Sequence, residues 1–242
     1  MTGNVVVAFD AYGTLLSTES IAKQLSTHFG QDKAQTIAAT WRKYQLEYTW
    51  RLNSMNKYEP FSTITQQSLK HALAESGVFL SQGDIDNLMK AYDSLSIFLD
   101  VAPCLKALQA KDSVTAVVFS NGTQSMVSNS VNQSPDLSPY ASVFSDIVVV
   151  EPMRKFKPAP EVYKHLAESV GKDTSQMGDL WLVSGNPFDV VGARAVGMKA
   201  AWVDRAGNGW QDALVGGPQG EPTVILKSLE ELPAILGKHA EE

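Results

Sequence analysis

VVVAFDAYGTL, residues 5–15, sets an unbroken apolar run, Val5–Phe9, directly ahead of an acidic residue, Asp10, and a Gly13-Thr14 pair. A short β-branched run that is continuous rather than alternating is the pattern of a strand buried on both faces of a parallel sheet. Ligands of open α/β sheets bind beyond the carboxyl ends of the strands. Asp10 is therefore expected at the rim of a cleft, with Gly13 supplying a tight turn. A lone aspartate at a strand end more often caps a turn than performs chemistry, so its meaning depends on the rest of the chain.

Five further apolar runs follow: Val114–Phe119, Ile147–Val150, Leu180–Val183, Ala200–Val203 and Thr223–Leu226. Helical patterns lie between or beside them at Ala102–Ala110, Gln124–Asn132, Pro160–Val170, Phe188–Val196 and Leu229–His239. Strand and helix in repeated alternation predict a Rossmann-like, doubly wound α/β core. Residues 17–97 break the rhythm with helical periodicity alone, near Ile21–Phe29, Lys33–Met55, Ile64–Ser76 and Gln82–Leu95. That interval is too long for a simple crossover. It is expected to be a helical cap lobe inserted after the first strand, leaving residues 1–16 and 98–242 as the core.

The second helix of the insert has two apolar faces. Ile37, Trp41, Tyr44 and Tyr48 recur at helical spacing, and Arg42, Leu46 and Trp50 fall on roughly the opposite side. One face serves the lobe; the other is left for the core, a cleft or a second subunit.

Bulk composition narrows the function. The 242 residues are 44% hydrophobic and 19% charged, with a net charge of −6 and no basic patch of the kind that binds nucleic acid. Cys104 is the one cysteine, so no intrachain disulfide forms, and it reads as a buried structural thiol. No Cys/His spacing suits zinc. Neither a signal peptide nor a membrane-length apolar stretch is visible. A cytoplasmic protein without membrane or nucleic-acid partners is expected.

Three strands end in polar residues that can converge: Asp10, Ser120-Asn121-Gly122 and Ser184-Gly185-Asn186. Taken with Lys157, they complete four stretches, FDAYGTL (9–15), VVFSNGT (117–123), KFKPAPEVY (155–163) and LVSGNPFDVVGARAVGM (182–198). In order and spacing these resemble the four motifs of the haloacid dehalogenase superfamily over nearly the whole chain. The resemblance implies that Asp10 is a covalent nucleophile. The superfamily's magnesium phosphatases carry a second aspartate two residues after the nucleophile and an acidic residue four before the last aspartate of motif four. Here those positions hold Tyr12 and Gly185, neither of which supplies the oxygen ligands that magnesium requires.

The substitutions are similar to the L-2-haloacid dehalogenase branch, as are Ser184, Asn186 and Asp189 and the segment WRKYQLEYTW (41–50) with Arg42. By that resemblance no cofactor or metal is implied, and the substrate is a small anionic 2-haloacid, with water as co-substrate. A carboxylate is already ionised at neutral pH, so Asp10 can attack a saturated carbon without a base. A halide leaves as an anion and calls for positive charge, assigned to Arg42, with Asn186, Phe188 and Tyr12 completing its cradle. Ser120 and nearby backbone N–H groups take the substrate carboxylate, supported by Thr14 and Asn121, next to Ala11. Lys157 stabilises Asp10 and is held by Asp189; either Asp189 or Lys157 activates the hydrolytic water. One inversion turns an L-2-haloacid into a D-2-hydroxy acid. Ser184 and Tyr163 match family site positions, although a tyrosine on a helix also serves packing. Leu46 and Phe61 line the alkyl pocket or pack the core. Gly185, Pro187-Phe188 and Lys43 depart from the branch's usual Ser, Ala-Trp and Gln. An atypical phosphatase and a non-catalytic binding protein stay open as alternatives, and a homodimer is suggested by the two-faced helix.

Overall fold

All six apolar runs form strands of one parallel sheet, and the flanking patterns form its helices. The computed structural model describes residues 5–111 and 113–239. The strands are β1 (Val5–Asp10), β2 (Val114–Ser120), β3 (Phe144–Val149), β4 (Leu180–Ser184), β5 (Lys199–Val203) and β6 (Val224–Leu226), in the order β3-β2-β1-β4-β5-β6. Every residue of β1 and β4 is buried, as continuous apolar runs at the centre of a parallel sheet should be. Sheet order reverses direction between β1 and β4, which opens a crevice above their carboxyl ends. Register sharpens this: Asp10 lies beside Phe119 and Phe9 beside Val183. Ser120 and Ser184 therefore emerge on either side of Asp10.

β3 starts at Phe144 rather than at Ile147, because Phe144 is buried while Ser145 and Asp146 face outward. That alternation belongs to an edge strand, and a search for continuous apolar runs passes over it.

Four helices lie between β1 and the first core helix: α1 (Ala22–Phe29), α2 (Gln31–Ser54), α3 (Phe61–Glu75) and α4 (Gln82–Tyr92). The chain leaves and re-enters the core through a short stem. Leu16 bridges Ile97 in antiparallel fashion, Ser17 N–H donates to Ser96 at 2.8 Å, and Phe98 N–H donates to Leu15 at 3.3 Å. The core helices are α5 (Val101–Gln109), α6 (Gln124–Asn132), α7 (Pro160–Ser169), α8 (Pro187–Ala195) and α9 (Leu232–His239). Pro160 and Pro187 each open a helix, where the missing N–H costs nothing and the fixed φ suits the first turn.

On α2 the buried stripe runs Ile37, Trp41, Gln45, Thr49 rather than Ile37, Trp41, Tyr44, Tyr48. Tyr44 and Tyr48 are half-buried at its flank, where the Tyr44 ring stacks on His71 of α3 at 3.7 Å and the Tyr48 hydroxyl meets His71 Nδ1 at 2.7 Å. Gln45 and Thr49 are tolerated inside because their polar atoms are hydrogen-bonded. A hydropathy pattern cannot see those partners. The Arg42–Trp50 face turns to the core, with Trp50 edge-on to Phe188 of α8 at 5.4 Å.

Candidate active site

Asp10, only 6% exposed, sits at the carboxyl end of β1 within a closed set of donors. Lys157 Nζ donates to its Oδ1 at 3.0 Å. Thr14 Oγ1 and Asn186 Nδ2 each donate to its Oδ2 at 2.8 Å. Gly13 makes this turn possible at φ +91°, a backbone region that side chains avoid.

Lys157 is 1% exposed, and all three of its ammonium hydrogens have acceptors. The second goes to Asp189 Oδ2 and the third to the Phe119 carbonyl, both at 2.8 Å. Burial opposes the charged ammonium, but the Asp10 and Asp189 carboxylates outweigh it and hold Lys157 above its ordinary value. For Asp189, burial dominates and raises its pKa, with Lys157 pulling the other way. Tyr163 donates to Asp189 Oδ1 at 2.8 Å. Burial, then the adjacent Asp189, push the Tyr163 phenol well above its usual range, so it stays a donor.

Arg42 reaches this cluster from α2. Its Nη2 donates to the Tyr12 carbonyl at 3.0 Å and to Asn186 Oδ1 at 3.2 Å. Asn186 then donates from Nδ2 to Asp10 and, at 3.0 Å, to the Tyr12 carbonyl. The acceptors on one side and Arg42 on the other fix which way this amide faces. The carboxylate of Glu47 pairs with Arg51 and leaves Arg42 to the core.

Ser120 is fully buried and accepts from Gly122 N–H at 3.0 Å. Asn121 uses Oδ1 to hold the Lys157 backbone N–H at 2.9 Å. At the nearby start of α6 two N–H groups already have partners: Met126 donates to Thr123 Oγ1, and Gln124 donates to Glu151. Ser184 Oγ accepts the Asn186 N–H at 3.1 Å, which makes it a support for Asn186. The Ala11 carbonyl receives N–H bonds from Thr14, Leu15 and Leu16 and shapes the turn that follows Asp10. The Tyr12 ring stacks on Phe61 at 5.7 Å and tilts against Tyr92 at 5.6 Å. Phe61 is thus buried beside the site, Phe188 is half-buried against Trp50, and Leu46 lies half-buried on the Arg42 face of α2.

Gly185 donates its N–H to Thr14 Oγ1 at 2.9 Å. A Cβ at this position would stand 2.6 Å from the Gly13 carbonyl oxygen, closer than the backbone permits. The glycine is therefore a packing requirement of this turn. Among the described residues, no cluster of three or more His, Cys, Asp or Glu suits a metal ion. No helix among them is long and apolar enough to cross a membrane. Cys104 is buried, and burial followed by the charge of Asp100 push its thiol up to about 12, as an inert structural thiol requires.

Several contributors were not among the site residues expected from the sequence, although Gln45 lies within the WRKYQLEYTW segment. Gln45 accepts from Arg42, and Thr65 and Tyr92 in turn hold Gln45. Asn53, at the end of α2, clasps the Phe156 backbone from both sides, donating to its carbonyl at 2.7 Å and accepting its N–H at 2.9 Å. Arg205 donates to the Thr14 carbonyl at 2.8 Å while paired with Asp100. For Gln45 a signal existed, since it follows Arg42 by three residues on one helix and so lies beside it. Asn53 and Arg205 are joined to the site only by the fold.

Comparison with known proteins agrees with the geometry. The haloacid dehalogenase-like hydrolase family model matches residues 5–197. The chain is 29% identical over 232 residues to (S)-2-haloacid dehalogenase of Pseudomonas sp. (strain YL), covering 96% of each. It is 30% identical over 200 residues to (S)-2-haloacid dehalogenase 4A of Burkholderia cepacia, covering 83% of each. The structure of L-2-haloacid dehalogenase from Xanthobacter autotrophicus with chloropropionic acid covalently bound superposes with a TM-score of 0.83. That match has 25% identity and covers 96% of this chain and 98% of the other. With the Asp10 turn, a buried lysine and a bridging asparagine assembled at the sheet's switch point, the chain belongs to the haloacid dehalogenase-like hydrolases, in their L-2-haloacid dehalogenase branch.

Proposed function

We propose that this protein hydrolyses short L-2-haloacids to D-2-hydroxy acids and halide, without a metal, through an ester on Asp10. The observation that carries the metal-free step is the Asn186 amide bridging Asp10 Oδ2 and the Tyr12 carbonyl at 2.8 and 3.0 Å. Those two oxygens are ones a hard cation would need, and an N–H₂ group already joins them. Residue 185, the position for a further carboxylate ligand, has no room for a side chain. The donor set does not fit magnesium, and no step is routed through it.

Asp10 attacks C2 of the haloacid from the side opposite the halogen. The C–O bond forms as the carbon–halogen bond breaks, the halide takes the electron pair towards Arg42, and C2 inverts. Lys157 faces the Asp10 carboxylate with its positive charge and donates to Oδ1 at 3.0 Å. Asn186 orients both Asp10 and Arg42. The Ser120 hydroxyl, whose own hydrogen is left for a ligand, receives the substrate carboxylate. Tyr12, Phe61 and Phe188 form the aromatic surroundings, with Leu46 towards the alkyl group. Water then adds to the Asp10 carboxyl carbon and gives up a proton to Asp189, because Lys157 is held as an ammonium with its three hydrogens engaged and can accept none. The C2 oxygen leaves with that proton as the product hydroxyl, the second proton of the water is released to solvent, and Asp10 regains a carboxylate. Residues 17–97 act as a cap over this chemistry. The enzyme works in the cytoplasm as a homodimer with no nucleic-acid or membrane partner. The acidic charge balance and the exposed Trp50 of α2 and Met55 just past its end support this reading.

The test is halide release from the two enantiomers of 2-chloropropionate, with and without chelator. Release from the L form alone, unchanged by chelator and lost in Asp10→Asn with the circular dichroism intact, is expected. No halide from any short 2-haloacid, or a magnesium-dependent phosphomonoesterase activity, refutes it.

A further inference from the structure

Gln45 is a buried amide, 0% exposed, between α2, α3 and α4. Burying such a group is costly unless its hydrogen bonds are made. Here both ends are engaged. Oε1 accepts from Arg42 Nη1 at 2.8 Å and from the Tyr92 hydroxyl at 3.0 Å. Nε2 donates to Thr65 Oγ1 at 2.8 Å, and Thr65 donates onward to the Phe61 carbonyl at 2.7 Å. Trp41 ties the same turn of α3 by donating to the Thr65 carbonyl at 2.7 Å. Gln45 is thus held by Thr65 of α3 and Tyr92 of α4.

The consequence falls on Arg42. Of the five N–H donors of a guanidinium, those facing Tyr12, Asn186 and Gln45 are engaged. The Tyr12 and Asn186 bonds share Nη2, so they fix one corner of the plane. The Gln45 bond on Nη1 fixes the second and stops the plane from turning about the first. What remains of the fork then has one direction in which to meet an anion.

We propose, resting on the dehalogenase reading, that Gln45 is a positioning residue that sets the plane of Arg42 for the departing halide. The effect belongs to bond cleavage rather than to general affinity. It should therefore grow with the difficulty of the leaving group, since a poorer leaving group relies more on a well-placed cation.

The experiment compares kcat/KM for L-2-chloropropionate and L-2-bromopropionate in the wild-type enzyme, Gln45→Met and Thr65→Val. This constant reports events up to halide loss and is insensitive to later ester hydrolysis. Gln45→Met keeps the length but offers Arg42 no good acceptor. Its chloride constant is expected to fall about 10- to 100-fold, in the range of small misplacements of catalytic groups. The bromide constant should fall several-fold less. Thr65→Val, which frees the Gln45 amide to rotate, should move the ratio in the same direction by less, and it carries the test if Gln45→Met does not fold. Leu73→Ala, a buried change elsewhere in α3, controls for loosened packing and should leave the ratio unchanged. Equal losses for both halides, or a crystal structure of Gln45→Met with the Arg42 plane unmoved, overturn the positioning role while leaving the dehalogenase reading intact. A wild-type enzyme inactive on both substrates overturns both.

Discussion

Replacing Lys157 by methionine removes the cation between two buried carboxylates and should show in stability and turnover together. In the wild-type chain Nζ lies 3.0 Å from Asp10 and 2.8 Å from Asp189, with the side chains 2%, 9% and 0% exposed. Removing one partner of a buried ion pair costs about 3–5 kcal/mol, because the other is left charged and dry. Two carboxylates are stranded here, so the upper part of that range is expected at pH 7. The folded variant can relieve the strain by binding one proton between Asp10 and Asp189. Its carboxylate pKa is then raised above the unfolded value of about 4. A raised carboxylate leaves stability intact below the unfolded pKa and removes it as pH rises towards the folded one. The loss should therefore deepen by about 1.4 kcal/mol per pH unit across that window. Urea unfolding followed by tryptophan fluorescence between pH 4.5 and 8, for both proteins, gives the difference directly. Halide release should be nearly absent at pH 7 and recover in part at higher pH, as the shared proton leaves. A stability loss below about 1 kcal/mol, or one indifferent to pH, would refute the reasoning.

Tyr163→Phe deletes the 2.8 Å donor to Asp189, a bond that favours the ionised carboxylate. Asp189 should then protonate more readily, moving the acid limb of the kcat profile to higher pH, so activity near pH 6 suffers more than at pH 8. An unmoved limb would separate Asp189 from the rate-limiting protonation. Gly185→Asp must force Gly185 and Gly13 apart, at a cost of about 1–3 kcal/mol by analogy with overpacked cores. Dehalogenation should fall without any magnesium-stimulated phosphatase activity appearing. Urea midpoints and a magnesium titration with a phenyl phosphate check both halves, and a functional phosphatase would contradict the fit of this turn.

The sheet was legible because central parallel strands are apolar on both faces and interrupt helical periods sharply. β1, β2 and β4 are found almost to the residue, whereas edge strand β3, exposed at Ser145 and Asp146, begins earlier than its pattern. The four insert helices were equally visible, but the inward face of α2 was partly misread. Gln45 and Thr49 look polar in a sequence and become buried only through partners on other elements. At the site, Asp10 and Asn186 are marked by their places at strand ends, whereas Lys157 and Asp189, the latter inside α8, are named only through the resemblance of their motifs to the haloacid dehalogenase superfamily. The supports could not be named: Asn53 reaches Phe156 and Arg205 reaches Thr14 across 103 and 191 residues of chain. No local period records such contacts.

The abutment of Gly13 and Gly185 bears on what this scaffold can become. A replacement of Tyr12 by aspartate is an easy genetic step, yet its companion carboxylate at 185 has nowhere to grow. To admit one, the nucleophile turn would first have to swing away from β4, loosening Thr14 from the Gly185 N–H and from Asp10 at once. Every intermediate on that route is a poorer dehalogenase before it is any other enzyme. In this chain the backbone itself, through one missing side chain, stands against that change of chemistry.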